Sequence, residues 1–215
     1  MNAFVLAGGK STRMGRDKAL LEVDGQPLIA LALERLRALG LTPRICGVRP
    51  DLTRFAEVVP DNFPQSGPLG GIEAALAASD TELNLFLPVD APLIPIEFLH
   101  WLMQRAEESK AVATIPVAGG REQPLSAVYS RRLLPGLRAA MGAGHLKIMT
   151  AVREAAASLG EAVDLFVVED LEAALPPGVW PEDPPLCDWF LNVNAPGDLE
   201  AVSAHLKKQP QARPG

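Results

Sequence analysis

The sequence predicts a three-layer α/β/α fold, Rossmann-like, built on a mostly parallel central sheet. Three observations predict it. Short apolar runs alternate with helix-length amphipathic segments over the first hundred residues, the pattern of parallel βαβ units. The runs are apolar at consecutive positions, as strands buried on both faces require. The first run, Ala3 to Ala7, breaks directly into Gly8-Gly9, and open α/β sheets bind ligands beyond the carboxyl ends of their strands.

Taken in order, "NAFVLA" reads as a buried strand ended by glycine. A helix starts at Pro27, carries Ile29, Leu33 and Leu36 on one face, and stops at Gly40. "PRICGV" and "AEVVP" are the second and third strands. "DNFPQSGPLGG" is a Pro/Gly loop and "LGGIEAALAAS" a helix. "LNLFLPV" is the central strand. Pro95 starts a helix with Phe98, Leu99, Leu102, Met103 and Ala106 in one stripe. "AVATIPV" and "PLSAVYS" flank Gly119-Gly120 and can pair. Residues 131–142 and 146–158 read as helices, "AVDLFVV" and "WFLNV" as late strands, and Pro196 to Leu206 as the last helix. "LPPGVWPEDPPLCDW" is a proline-rich surface loop. The expectation is one domain over residues 1–206, with 207–215 a disordered tail lacking apolar periodicity.

Composition bounds the function. The 215 residues are 48% hydrophobic and 21% charged, an ordinary globular balance. No apolar run is long enough to span a membrane, and no basic stretch precedes the first strand as a secretory signal would require. Cys46 and Cys187 match no metal spacing and read as free thiols in a reducing cytosol, hence a cytoplasmic protein. A net charge of −6 argues against nucleic acid as a partner. Residues 8–19 oppose that sign, with four basic residues and one acid. A small anionic ligand suits the contrast better than a long polyanion.

The glycine loop fits neither familiar phosphate motif. "GKS" lacks the earlier Walker-A glycine, whose place is taken by Phe4. The dinucleotide fingerprint needs a helix at once, and here the next glycine is Gly15. The physical logic survives both failures. A glycine pair after a strand lets backbone N–H groups converge on an anion, and Arg13 and Lys18 bring mobile positive charge for a polyphosphate. Asp61 follows "AEVVP" and Asp90 follows "LFLPV", so two parallel strands would deliver both carboxylates to the edge that holds the loop. Asp90, between Pro88 and Pro92 on the stronger strand, is the expected ligand of Mg²⁺, which binds through few protein oxygens plus phosphate. Asp61 by itself reads equally well as a turn residue. No Ser/His/Asp or Cys/His set stands out, and His100, His145 and His205 are isolated. Positioning and electrostatics without a covalent enzyme intermediate are the natural fit.

"LAGGKSTRMGRDKALL" resembles the signature loop of Rossmann-like nucleotidyltransferases, and is most similar to that of the molybdenum cofactor guanylyltransferase family. The resemblance continues through "PDNFPQSGPLGGI", "LPVDAPLIP", "REQPLSAVYSRRLLPGL" and "FLNVNAPGDLEAV", in family order. It implies an enzyme that joins GMP, taken from GTP, to molybdopterin or its molybdenum form and releases pyrophosphate. By motif, Leu6, Ala7, Gly8 and Gly9 would meet the guanine nucleotide, and Arg13 and Lys18 its phosphates. Asp61 would contact the nucleotide and Asp90 would hold Mg²⁺. Arg121, Gln123 and Pro124, with Asn192 and Asn194, would lie toward the pterin in the C-terminal half. Molybdopterin-handling proteins and molybdoenzyme chaperones would be transient partners.

The chain departs from the family pattern at three places. "CGVRP" puts Gly47 or Arg49 where the family often has Asn. Ala195 stands where the last motif usually has Thr, so it cannot cap the final helix by side chain, although Asp198 can favour the helix dipole. "HLKIM" reduces a basic run to Lys147. Three rivals stay open: a cytidylyltransferase acting on the same pterin, a sugar-1-phosphate nucleotidyltransferase, and a non-catalytic pterin-binding protein. Gly8 and "REQPL" favour guanine, the sugar enzymes carry a longer second half, and Lys18 with Asp90 favours catalysis.

Overall fold

The structure, a computed structural model, describes residues 1–8, 17–174 and 178–207. In chain order the elements are β1 (Asn2–Leu6), β2 (Glu22–Val23), β3 (Gln26–Pro27), α1 (Leu28–Ala38), β4 (Pro43–Cys46), β5 (Val58–Val59), α2 (Gly67–Ala78), β6 (Leu83–Pro88), α3 (Ile96–Ser109), β7 (Ala113–Ala118), β8 (Arg121–Glu122), β9 (Val128–Ser130), α4 (Leu134–Gly142), α5 (Ile148–Leu159), β10 (Val163–Val167), α6 (Glu169–Ala174) and α7 (Pro196–Leu206).

The central sheet runs β10-β7-β9-β6-β1-β4-β5, with β8 added to β7 and β2-β3 a separate ribbon. β1 pairs in parallel with both β4 and β6, and β4 with β5. β9 lies antiparallel between β6 and β7, and β10 returns parallel to β7. The sheet is therefore mostly parallel, and the fold class is the one the alternation predicts.

The two faces of β1 show why it reads as a continuous apolar run. Ala3 and Val5 point into a core shared with Leu28, Ile29 and Leu33 of α1 and Phe98, Leu99 and Leu102 of α3. Phe4 and Leu6 point into the opposite core, with Leu69 and Ile72 of α2, Leu137 of α4 and Val152 of α5. Helices cover both faces, so the consecutive positions Ala3 to Leu6 are all apolar and all buried. α1 ends as its glycine predicts: Gly40 takes φ +76°, and Leu41 N–H donates back to Leu36 O at 3.3 Å.

Two expectations fail for one reason. "WFLNV" is not a strand. Trp189 ends a 3₁₀ turn over Leu186–Asp188, and Val193 N–H donates a lone bond to Asp90 O at 2.8 Å. The proline-rich stretch is also not merely surface. Trp189 is wholly buried, its ring centroid 5.4 Å from Phe98 and 5.5 Å from Trp180. An apolar run with two aromatics fills a hole over α3 as readily as it fills a sheet, and hydrophobic patterning does not separate the two. The helix expected over 131–142 begins as a 3₁₀ turn, Arg131–Leu133, before α4. The tail from 208 onward lies outside the described residues.

α4 and α5 meet closely at Gly136. A Cβ there would sit 2.6 Å from both Cα and Cβ of Ala155. Gly136→Val is expected to lower the Tm by roughly 5–10 °C, the consequence of overpacking by about 2–3 kcal/mol in a domain of this size. Gly142→Ala, in the same helix with open space around its Cβ, is the control for a thermal melt and should move the Tm little.

Candidate active site

β1 is the strand at which the chain reverses its direction across the sheet. The chain goes from β1 to β4 and β5 on one side, then crosses back to β6 on the other. The crevice beyond the carboxyl ends of such strands is the default ligand position in this architecture. Leu6, Ala7 and Gly8 leave β1 here. Val89 N–H donates to Leu6 O at 3.1 Å and Ala7 N–H to Cys46 O at 3.2 Å, which ties the exit of β1 to the strands on either side. Gly9 and Arg13 fall outside the described residues. Gly47, at φ +132°, packs so near Gly8 that a Cβ would lie 3.2 Å from Gly8 Cα.

Asp17 begins the next described segment. Its carboxylate accepts from Ala19 N–H at 3.0 Å and caps the short 3₁₀ turn Lys18–Leu20. The turn sends Lys18 across the crevice. Lys18 Nζ donates to Asp90 Oδ2 at 2.9 Å and to Asn194 Oδ1 at 2.6 Å. The Lys18 and Asp90 side chains are each 21% exposed, so the pair faces the crevice without being sealed. Three distant pieces of chain thus converge on one ammonium group. Asn194 is held in turn by Asp198, whose Oδ2 accepts from Asn194 N–H at 2.7 Å and Ala195 N–H at 2.8 Å. Those two backbone bonds hold the Asp198 carboxyl below its ordinary pKa. The Asp198 carboxylate thus makes the half of a capping box that reaches back to the N-cap N–H, while Ala195 has no side-chain acceptor to make the other half.

Asp61 follows β5 by two residues, on the same edge. Its Oδ1 is buried without a hydrogen-bond partner, beside Gly70 and Gly71 at the start of α2. Burial first, and then the nearby Glu73 carboxylate, push its pKa up. Glu73 itself is wholly buried in α2. It accepts from Arg138 Nε at 2.7 Å and from Asn62 Nδ2 at 3.0 Å. Asp61, whose buried Oδ1 has no such partner, opposes folding once ionised. Asp61→Asn is therefore expected to raise the Tm at neutral pH while weakening nucleotide binding. The sign is checked by melting both proteins against pH. A raised folded-state pKa favours folding only while the group is protonated, so the advantage of the amide should vanish as pH falls below the ordinary aspartate range, about 4.

Of the residues expected on the pterin side, three gather in a second cavity, of about 240 Å³, beside this crevice. Gln123, Pro124 and Asn192 line it, together with Ile148, Phe190, Pro88 at the end of β6 and Ala91 just beyond it. Pro88 and Ala91 flank the Asp90 segment, so this cavity adjoins the Lys18–Asp90 pair. Tyr129, wholly buried, donates to Pro124 O at 2.6 Å and fixes the loop. Asn194 reaches the Lys18 side, its Nδ2 donating to Asn192 O at 3.3 Å. Arg121 is exposed at the start of β8. His145 pairs with Glu154 at 2.8 Å, His205 with Asp183 and Asp188, and His100 is exposed; none reaches the crevice contacts above.

Glu73 and Arg138 are the residues that sequence reasoning did not single out; Arg49 it placed only where the family often has Asn, and Phe190 only within "WFLNV". One signal was present: Glu73 is the lone charge in "LGGIEAALAAS", and an ionised group amid apolar neighbours needs a partner elsewhere. For Mg²⁺, the donor chemistry fits. Asp90 and Asn194 present one anionic and one neutral oxygen, already gathered about a cation, the Lys18 ammonium. No group of three or more acidic, His or Cys ligands occurs among the described residues.

Comparison with known proteins shows the family and the fold. Residues 3–161 match the MobA-like NTP transferase domain. The molybdenum cofactor guanylyltransferase of Syntrophotalea carbinolica is 32% identical over 203 residues, 93% of this chain and 89% of that protein. That of Vibrio cholerae is 31% identical over 204 residues, 93% and 90% of the two chains. Among solved structures, molybdopterin-guanine dinucleotide biosynthesis protein A from Archaeoglobus fulgidus shares the fold, with a TM-score of 0.76 at 24% identity, over 97% of this chain and 100% of that one. No helix among the described residues is long and apolar enough to cross a membrane. On the domain match and these identities, the chain is a nucleotidyltransferase that belongs to the MobA-like family of molybdenum cofactor guanylyltransferases.

Proposed function

We propose that this enzyme transfers GMP from GTP to Mo-molybdopterin, forming molybdopterin guanine dinucleotide and pyrophosphate. The observation that carries the reading is the position of Lys18: one ammonium joins Asp90, at the end of the central strand, to Asn194, at the rim of the second cavity. A triphosphate over Lys18 would have its nucleoside toward Leu6, Ala7, Gly8 and Asp61 and its α-phosphorus toward the cavity of Gln123, Pro124 and Asn192. An oxygen of the terminal phosphate of the pterin attacks that α-phosphorus. The bond to the oxygen bridging the α- and β-phosphorus breaks, and pyrophosphate leaves with that oxygen. The attacking phosphate is already ionised near neutral pH, so no strong general base is required, which accounts for the absence of histidine from the crevice contacts.

Lys18 and Arg13 offset charge on the phosphates as it moves toward the leaving group. Asp90 and Asn194 would hold Mg²⁺, which when bound supplies further charge neutralisation on the phosphates. Gly8, free of a Cβ, leaves room for the nucleotide against the backbone of β1. The cytoplasm, with its GTP, is the compartment of this function, and molybdopterin-handling proteins and molybdoenzyme chaperones are its transient partners.

The test is incubation with molybdopterin or its molybdenum form, Mg²⁺ and each nucleoside triphosphate, with detection of pyrophosphate and the dinucleotide. GTP is expected to react and CTP to react far less. GTP with Mg²⁺ should also raise the Tm, as any ligand of the folded state does. Equal reaction with CTP would overturn the guanine assignment, and no thermal shift with either nucleotide would overturn the nucleotide site.

A further inference from the structure

We propose that Arg49 is a positioning residue that clamps together the two ends of the glycine loop, and so aims Lys18. Its guanidinium uses all three nitrogens. Nη1 donates to Ala7 O at 3.2 Å, at the exit of β1, and to Asp17 Oδ1 at 3.1 Å, where the described chain resumes. Nη2 bonds Asp17 Oδ2 and Asp51 Oδ2, the latter at 2.7 Å, and Nε donates to Asp51 Oδ1 at 3.0 Å. The side chain is only 13% exposed, against 49% for Asp51. Arg49 therefore turns inward, onto the loop ends, while Asp51 holds it from the solvent side.

The contact set explains the choice of side chain. A guanidinium presents its donors in a planar fork and engages two carboxylates and a carbonyl together; a lysine ammonium is a single point charge without that fixed geometry. A second observation points the same way. Gly47, two residues before Arg49, lacks the Cβ that would press on Gly8 Cα and N at 3.2 and 3.3 Å. The end of β4 is thus brought against the loop at Gly8 by backbone approach and at Ala7 and Asp17 by the fork. Asp17 passes the constraint on, since the same carboxylate caps the turn that carries Lys18 to Asp90 and Asn194.

Residues 9–16 carry Lys10, Arg13 and Arg16 between the clamped ends. Holding Ala7 and Asp17 in place before the ligand arrives removes part of the cost of positioning Lys18 for it. The proposal rests on the triphosphate reading of this crevice and assigns the Arg49–Asp17 pair to preorganising it.

The experiment is a double-mutant cycle on Arg49→Gln and Asp17→Asn, with Arg49→Lys as the conservative variant. The Tm and the GTP kinetics of each are compared with those of the wild type. Arg49→Gln is expected to raise KM for GTP about tenfold or more with a smaller fall in kcat, the signature of lost ground-state positioning. Arg49→Lys should fail to rescue, and the double variant should be no worse than either single one. Wild-type KM in Arg49→Gln, full rescue by lysine, or additive effects would each overturn the clamp. Should Arg49→Gln unfold, Asp17→Asn with an unchanged KM would overturn it alone. The outcome is separable from that of the parent reading. Absence of GTP turnover and of a GTP-dependent Tm shift in the wild type overturns the triphosphate site and the clamp's purpose together, whereas normal wild-type kinetics with unchanged variants overturns the clamp only.

Discussion

Asp90→Ala is expected to lower kcat by at least about 10³ at saturating Mg²⁺ and GTP, while the fold survives. The magnitude follows from the several kcal/mol that a cation bound at phosphate contributes to charge stabilisation in the transition state. Asp90 lies at the exit of β6, its backbone already engaged by Val193 N–H and its carboxylate by Lys18. Loss of the side chain leaves the ammonium donating to Asn194 Oδ1 and removes the anionic oxygen of the donor set. Both groups are partly exposed, so water takes up the unpaired ammonium and the cost to stability is small. The checks are steady-state rates across a Mg²⁺ titration and a thermal melt. A kcat within tenfold of wild type would remove Asp90 from the metal role.

Lys18→Ala is expected to lower kcat/KM for GTP by roughly 10²–10³, the loss found when a preorganised donor to developing charge is removed. Lys18→Arg should recover little, because the crevice is built for a point charge reaching two oxygens at 2.9 and 2.6 Å. The GTP-dependent rise in Tm should shrink in the alanine variant as well, which separates lost binding from lost chemistry. Unchanged kcat/KM would take Lys18 out of the phosphate site. Together with the Arg49 cycle, these variants are expected to order the site, with Asp90 and Lys18 acting on the ligand and Arg49 acting on Lys18.

Much of the fold was legible because its signals are local. β1 reads as a strand buried on both faces, and Gly40 reads as a stop because only its neighbours decide a left-handed turn. α7 begins and ends where its proline and periodicity place it. Asp61 and Asp90 were legible as strand-end acids, since a parallel sheet sends the residue after each strand to one edge. "WFLNV" was misread because strand and buried plug share one apolar pattern, and which of them forms depends on the hole over α3 that Trp189 fills.

The sequence by itself determined that this chain is a layered α/β protein with a basic glycine loop and acids at strand ends. Those properties follow from periodicity, charge and the conformational freedom of glycine, each decided within a few residues. Only the tertiary structure decided that Lys18 meets Asp90 and Asn194, that Arg49 binds Ala7 and Asp17 together, and that Glu73 sits wholly buried between Asn62 and Arg138. The physical reason is that ion pairs are set by side-chain reach across space. Sequence reports which charges exist, and the crossing of strands decides which of them come within 3 Å.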